Sequence, residues 1–180
     1  MSSTTFPSRE HDMPHSKRKY YFLIALGVLV LDQLSKWLVM QKISLHDSIP
    51  ILPGLFSISH LENQGAAFGL FADSPWQWKA AALILFSLLA LSVVSVLLWR
   101  NGHRFSYGSL ALALILGGAV GNLWDRIFQG HVVDFLHFYI GVHQWPDFNI
   151  ADSAIVVGAI LLVGEILFAD SPEESPNAAS

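Results

Sequence analysis

Four separate stretches of about 20 mostly apolar residues set the terms for this chain, because each is long enough to cross the hydrocarbon core of a bilayer as a helix. They run from about 20 to 40, 76 to 99, 105 to 128 and 149 to 168. The first is apolar for a dozen residues and then carries Asp32 and Lys36, while the second has Trp76 and Trp99 at its ends, as an aromatic belt requires. Hydrophobic residues make up 53% of the chain and charged residues 13%, about half the charge of an ordinary soluble domain. A membrane protein is therefore expected.

The same composition excludes several function classes. A net charge of −4 with no basic patch excludes nucleic acid as a partner. With no cysteine there is no disulfide, thiolate zinc site or cysteine nucleophile. Eight histidines occur without an HExxH or similar spacing, so neither a metal nor another cofactor is expected.

Lys17, Arg18 and Lys19 precede the first span, but Asp-Gln-Leu-Ser-Lys-Trp follows its apolar centre and supplies no small-residue cleavage site. The first span reads as a retained helix. With the N-terminus in the cytoplasm, that side receives Arg9, Lys17, Arg18, Lys19, Arg100 and Arg104, and the opposite side Lys36, Lys42, Lys79 and Arg126. The bias puts both termini in the cytoplasm, with loops 41–75 and 129–148 facing outward. Residues 1–15 and 171–180 are polar and rich in Pro and Ser, and read as disordered tails flanking one integral-membrane domain over 16–170. Within the first outer loop, LFSISHL alternates before a Gln-Gly turn, which predicts a short strand pair at the membrane surface.

The polar residues of the spans collect at one level. Asp32 lies near the outer end of the first helix. Asn122, Asp125 and Arg126 lie at the outer end of the third. Asp134 follows shortly after, Asn149 and Asp152 open the fourth, and the Asn63-Gln64-Gly65 turn is on the same side. Each residue admits a plain reading. Asp32 and Lys36 could pair at i,i+4, Asn122, Asp125 and Arg126 could brace helices, and Asn149 with Asp152 could form a capping box. GGAVG at 117–121 reads as close helix packing. Asp134, in VVDFLHF at 132–138, has the weakest plain reading: it is no cap and has no cation at i±3 or i±4. Two carboxylates near a dry interface cannot both ionise freely, so they hold one proton between them. Such a pair can activate water and protonate a leaving amide without a metal or a covalent intermediate. Asp134 and Asp152 suit this role. No GxSxG elbow or GxGD signature offers another hydrolytic route. The alternative is a small polytopic transporter or proton-relay protein, since membrane carboxylates also serve that purpose.

Five blocks then carry a resemblance: LDQLSKWLV (31–39), ENQGAAFGLF (62–71), GGAVGNLWDRI (117–127), VVDFLHF (132–138) and FNIADSAI (148–155). In order and spacing the chain resembles the bacterial lipoprotein signal peptidases (signal peptidase II) over about 20–168. The resemblance implies an all-α membrane protein of four transmembrane helices with a small extracytoplasmic β-structure, placed in the bacterial inner membrane. It implies an aspartyl endopeptidase that cleaves diacylglyceryl-modified prolipoproteins just N-terminal to the lipidated cysteine. The catalytic pair maps onto Asp134 and Asp152, near the outer leaflet. Supporting residues map onto Asp32, Asn63, Gly65, Asn122, Asp125, Arg126, Asn149 and Ala151. Prolipoprotein substrates and membrane lipids are the expected partners, and a monomer the expected state.

Overall fold

A computed structural model describes residues 17–65 and 76–169. The expected tails, and residues 66–71 of the second block, lie outside the described residues. The chain forms helices α1 (Arg18–Lys42), α2 (Trp76–Asn101), α3 (Tyr107–Phe128) and α4 (Ile150–Ala169), with strands β1 (Ser48–Leu52), β2 (Phe56–Asn63), β3 (Val132–Ile140) and β4 (His143–Gln144). All four helices contain stretches long and apolar enough to cross a membrane. Their outward faces are apolar: Leu85, Phe86, Ile160 and Ile166 are among the exposed large side chains. A surface of that kind is stable against lipid rather than water.

Helix α3 is the most buried of the four and packs against each of the others. At one end of the bundle Tyr21, Ala25, Leu98, Leu112, Ala113 and Leu116 form an apolar core. There the Tyr21 hydroxyl accepts from Ser106 N at 2.9 Å, tying α1 to the start of α3. Toward the other end α3 presents Gly117, Gly118 and Gly121. A methyl group at Gly117 would overlap the backbone of Ala25, at Gly118 that of Ala151, and at Gly121 the Asp32 carboxylate. GGAVG is thus the close-packing element its sequence suggests, and it sets how near α1 and α4 stand. Gly118→Val should force the first turn of α4 outward and cost about 1–3 kcal/mol of stability, as overpacking does, read by unfolding in detergent micelles. Gly164 has open space around it, so Gly164→Ala should leave stability unchanged or raise it by up to about 1 kcal/mol through helix propensity.

The strand pair expected before the Gln-Gly turn is β1 with β2. Only half of the sheet comes from that loop, however. The order is β1-β2-β3-β4, all antiparallel, and β3 lies within the segment read as the second outer loop. VVDFLHFYI is a run of β-branched and aromatic residues that pairs with β2 and is buried over its first four positions. Its partner carries a bulge. Ile58 faces Leu136 and Leu61 faces Asp134, so Ser59 and His60 together oppose Phe135. A bulge changes which way the following side chains point, and this one immediately precedes the Asp134 position. Val39, Ile43 and Phe135 form a second apolar cluster that seats the sheet on the end of α1.

Candidate active site

Asp134 comes from β3 and Asp152 from the first turn of α4, and Asn149 joins them. Its side-chain Nδ2 donates to Asp134 Oδ1 at 2.7 Å, while its Oδ1 accepts from Asp152 N at 2.9 Å. Asn149 N also lies 3.4 Å from Asp152 Oδ2. The plain reading of Asn149 and Asp152 as a capping box is therefore correct, and incomplete. The cap fixes the asparagine amide so that its N–H groups face Asp134.

Two other asparagines are oriented in the same way. Gly65 N donates to Asn63 Oδ1 at 2.8 Å, which turns Asn63 Nδ2 toward Asp134 Oδ2 at 2.9 Å. Gly65 holds φ +87°, and a methyl group there would strike Leu83 of α2, so glycine suits the turn on both counts. Lys36 Nζ lies 3.3 Å from Asn122 Oδ1, and Asn122 Nδ2 donates to Asp152 Oδ1 at 2.7 Å. A backbone N–H or an ammonium thus occupies each amide oxygen. Each amide nitrogen is left to bind a carboxylate.

Beneath the two acids is a fully buried ionic layer. Lys36 Nζ stands 2.6 Å from Asp32 Oδ2 and 2.6 Å from Asp125 Oδ2. Ala151 N donates to Asp32 Oδ1 at 2.9 Å, and Gln33 Nε2 to Asp125 Oδ1 at 2.8 Å. The i,i+4 pairing of Asp32 with Lys36 is real, yet Lys36 also reaches across to α3, which no spacing within α1 could reveal. Arg126 NH1 donates to Asn122 O at 3.1 Å. Its Nε is buried with no hydrogen-bond partner among the described residues, and its charge is attracted by Asp152, Asp125 and Asp134. Every residue proposed from sequence as a site residue therefore belongs to one connected cluster. Sequence reasoning missed Lys36 as its hub, and Gln33. A lysine four residues from an aspartate inside an apolar span was the available signal.

A third polar group supports the loop that enters α4. Asp147 Oδ1 accepts from Ser59 Oγ at 2.9 Å and lies 2.8 Å from His137 Nδ1. The backbone of Phe148 bonds to Phe135 and Leu136 of β3. Together these hold the chain ahead of Asn149 against the sheet.

Four carboxylates here face two cations, Lys36 and Arg126. If all four were ionised, the cluster would carry an uncompensated negative charge in a low-dielectric interior, which is costly. Asp134 is 3% exposed. Burial pushes its carboxyl up to about 6; the amide donors of Asn63 and Asn149 and the more distant Lys36 oppose the rise, and the nearby Asp152 charge reinforces it. Among the described residues no group of His, Asp and Glu is arranged to hold a metal ion.

The family model for signal peptidase (SPase) II matches residues 24–168. The chain is 42% identical over 156 residues to the lipoprotein signal peptidase of Solibacter usitatus, covering 86% of this chain and 94% of that one. To the lipoprotein signal peptidase of Desulforapulum autotrophicum it is 44% identical over 155 residues, with coverage of 84% and 93%. Among solved structures, a bacterial membrane enzyme determined by the in meso method at 2.3 Å resolution superposes with a TM-score of 0.77 at 27% identity, covering 92% of this chain and 99% of that one.

Proposed function

The chain belongs to the signal peptidase II family of membrane endopeptidases that remove signal peptides from prolipoproteins, and on that premise we propose that Asp134 and Asp152 are its catalytic pair. The observation that carries the proposal is the bridge through Asn149, which ties the Asp134 carboxylate to the α4 turn that bears Asp152. The ionised member takes a proton from water as the water attacks the scissile carbonyl. The protonated member hydrogen-bonds to the carbonyl oxygen and, as the C–N bond breaks, passes its proton to the departing amide nitrogen. Arg126, whose guanidinium charge is felt by both acids, stabilises the developing oxyanion. The substrate is a prolipoprotein bearing diacylglycerol on the cysteine that follows the scissile bond. Its apolar anchor arrives laterally from the bilayer, which suits an acid set among Val133, Phe135 and Leu136.

The enzyme is placed in the bacterial inner membrane with both termini cytoplasmic and the site near the outer leaflet. Lys17, Arg18 and Lys19 at the start of α1 support that orientation. So does the pairing of Lys36, which removes one cation from the opposite side's free charge. A transporter would need polar groups across the whole thickness. Instead, the bundle beyond Asp32 is filled by Ala25, Leu98, Leu112, Ala113 and Leu116. Proteoliposomes given a diacylglyceryl peptide and no ion gradient should release the cleaved product. Solute uptake without cleavage would reverse the assignment.

Acid–base chemistry by this pair has a defined pH response. A carboxyl raised from 3.8 to about 6 favours the folded state fully below 3.8. That contribution is lost as pH rises through about 6. The shared proton leaves over the same interval, so kcat/KM should fall on the alkaline side of a limb near 6. Asn63→Ala removes a donor that stabilises the ionised form and should move that limb to higher pH. An unmoved limb would dissociate Asp134 from the titration.

A further inference from the structure

The turn between β3 and β4 is made of Gly141 and Val142, with Tyr139 paired to Gln144 and Ile140 to His143. Turns of this length ordinarily carry polar residues such as Asn-Gly at their tip. Here Ile140, Val142 and Trp145 are 72%, 90% and 68% exposed, and residues 138–146 contain no Asp, Glu, Lys or Arg. Three large apolar side chains on a narrow projection are expensive to leave in water.

The depth of the projection indicates what covers it. Trp145 and Phe148 line a cavity of about 350 Å³ together with Asp152, Val156 and Val157 of α4. Val156 is six residues past the first residue of α4, about 9 Å along its axis at 1.5 Å per residue. Trp145 therefore sits beside the second turn of α4, not above its end. Val156, Val157 and Ile160, on the same stretch, are themselves exposed apolar residues of a spanning helix. The indole continues that lipid-facing surface. The inner side of the hairpin adds an apolar hollow of about 380 Å³ between Phe138, Ile140, Trp145 and Phe148. The base is held in place: Trp145 N bonds Phe138 O at 2.8 Å, and Asp147 is clasped by Ser59 and His137.

We infer that the β3–β4 hairpin is a membrane-dipping finger, with Ile140 and Val142 in the acyl region of the leaflet nearest the sheet and Trp145 at its headgroup boundary. Tryptophan prefers that boundary. A finger so placed would hold the sheet, and with it Asp134, at a constant depth relative to a substrate anchored in the same leaflet.

The absence of native cysteine makes the test clean. Val142→Cys, at the tip, and Asn101→Cys, at the exposed far end of α2, are each labelled with bimane in phospholipid nanodiscs. Cleavage of a lipidated peptide in detergent by the labelled Val142→Cys protein should stay within twofold of the unmodified chain, confirming that the fold is intact. Lipid carrying a nitroxide at carbon 5 should quench the tip dye several-fold more than the control, and aqueous iodide should do the reverse. Equal iodide access at both positions overturns the inference. Shielding that appears only after a lipidated peptide or another protein is added also overturns it, because the finger would then be a polypeptide-docking surface.

Discussion

Asp134→Asn and, separately, Asp152→Asn should each lower turnover of a diacylglyceryl peptide by at least about 10³-fold, in the range set by loss of a general acid or base. The substitution is nearly isosteric, and the surrounding donors decide what it does to the fold. Asp134 accepts from Asn149 Nδ2 and Asn63 Nδ2. An asparagine there keeps one acceptor oxygen and turns its amide against the other donor, so one of the two hydrogen bonds is lost. At Asp152 the amide oxygen can still accept from Asn122 Nδ2, replacing the 2.7 Å bond of the acid. Insertion into the membrane should therefore persist, and unfolding should shift by no more than the roughly 1–3 kcal/mol of one lost buried bond, while cleavage stops. Retention of near-normal turnover by either variant would remove that residue from the pair. If the two variants lost activity only in parallel with stability, the pair would be structural.

Lys36→Met should produce the largest change in stability of any single substitution described. The ammonium is 1% exposed and contacts two carboxylates that are both fully buried. Its removal strands Asp32 and Asp125 without a counter-ion, and breaking a buried pair in this way costs about 3–5 kcal/mol. The loss should appear as a lower unfolding midpoint in detergent. It should also reach the chemistry, because Asn122 Oδ1 loses one of its two donors, keeping only Asn149 Nδ2 at 3.4 Å, and its amide is less firmly turned toward Asp152. Adding Asp125→Asn to Lys36→Met should recover part of the stability by deleting one of the stranded charges. Recovery of stability without recovery of activity would separate the two roles of Lys36. If Lys36→Met unfolds like the unmodified chain, the buried layer does not hold the helices together as described.

Much of the fold is legible in the chain because bilayer insertion is decided locally. Twenty apolar residues satisfy their own backbone as a helix wherever they occur, so the spans could be read one window at a time. The acids stood out for the same reason, since a charge in an apolar run is conspicuous without knowledge of its neighbours. The hairpin of β1 and β2 showed through its alternation. Strand β3 did not, because its first four positions are all buried and so lack the period of two that marks a half-exposed strand. Its partner β2 is about 75 residues away, and the bulge at Ser59 and His60 leaves no local mark.

Sequence alone thus determined the four spans, the family, and which acids merit suspicion, because hydropathy and motif spacing are properties of contiguous residues. Only the tertiary structure decided how those acids are held. Asp32 meets Ala151, Lys36 meets Asp125, and Asn63 meets Asp134 across 119, 89 and 71 positions of chain. Such contacts depend on how closely α1 and α4 approach α3 over its glycines and on the register of β2 against β3. The direction in which each asparagine amide faces is set by those contacts, and that direction brings an amide donor onto both Asp134 and Asp152.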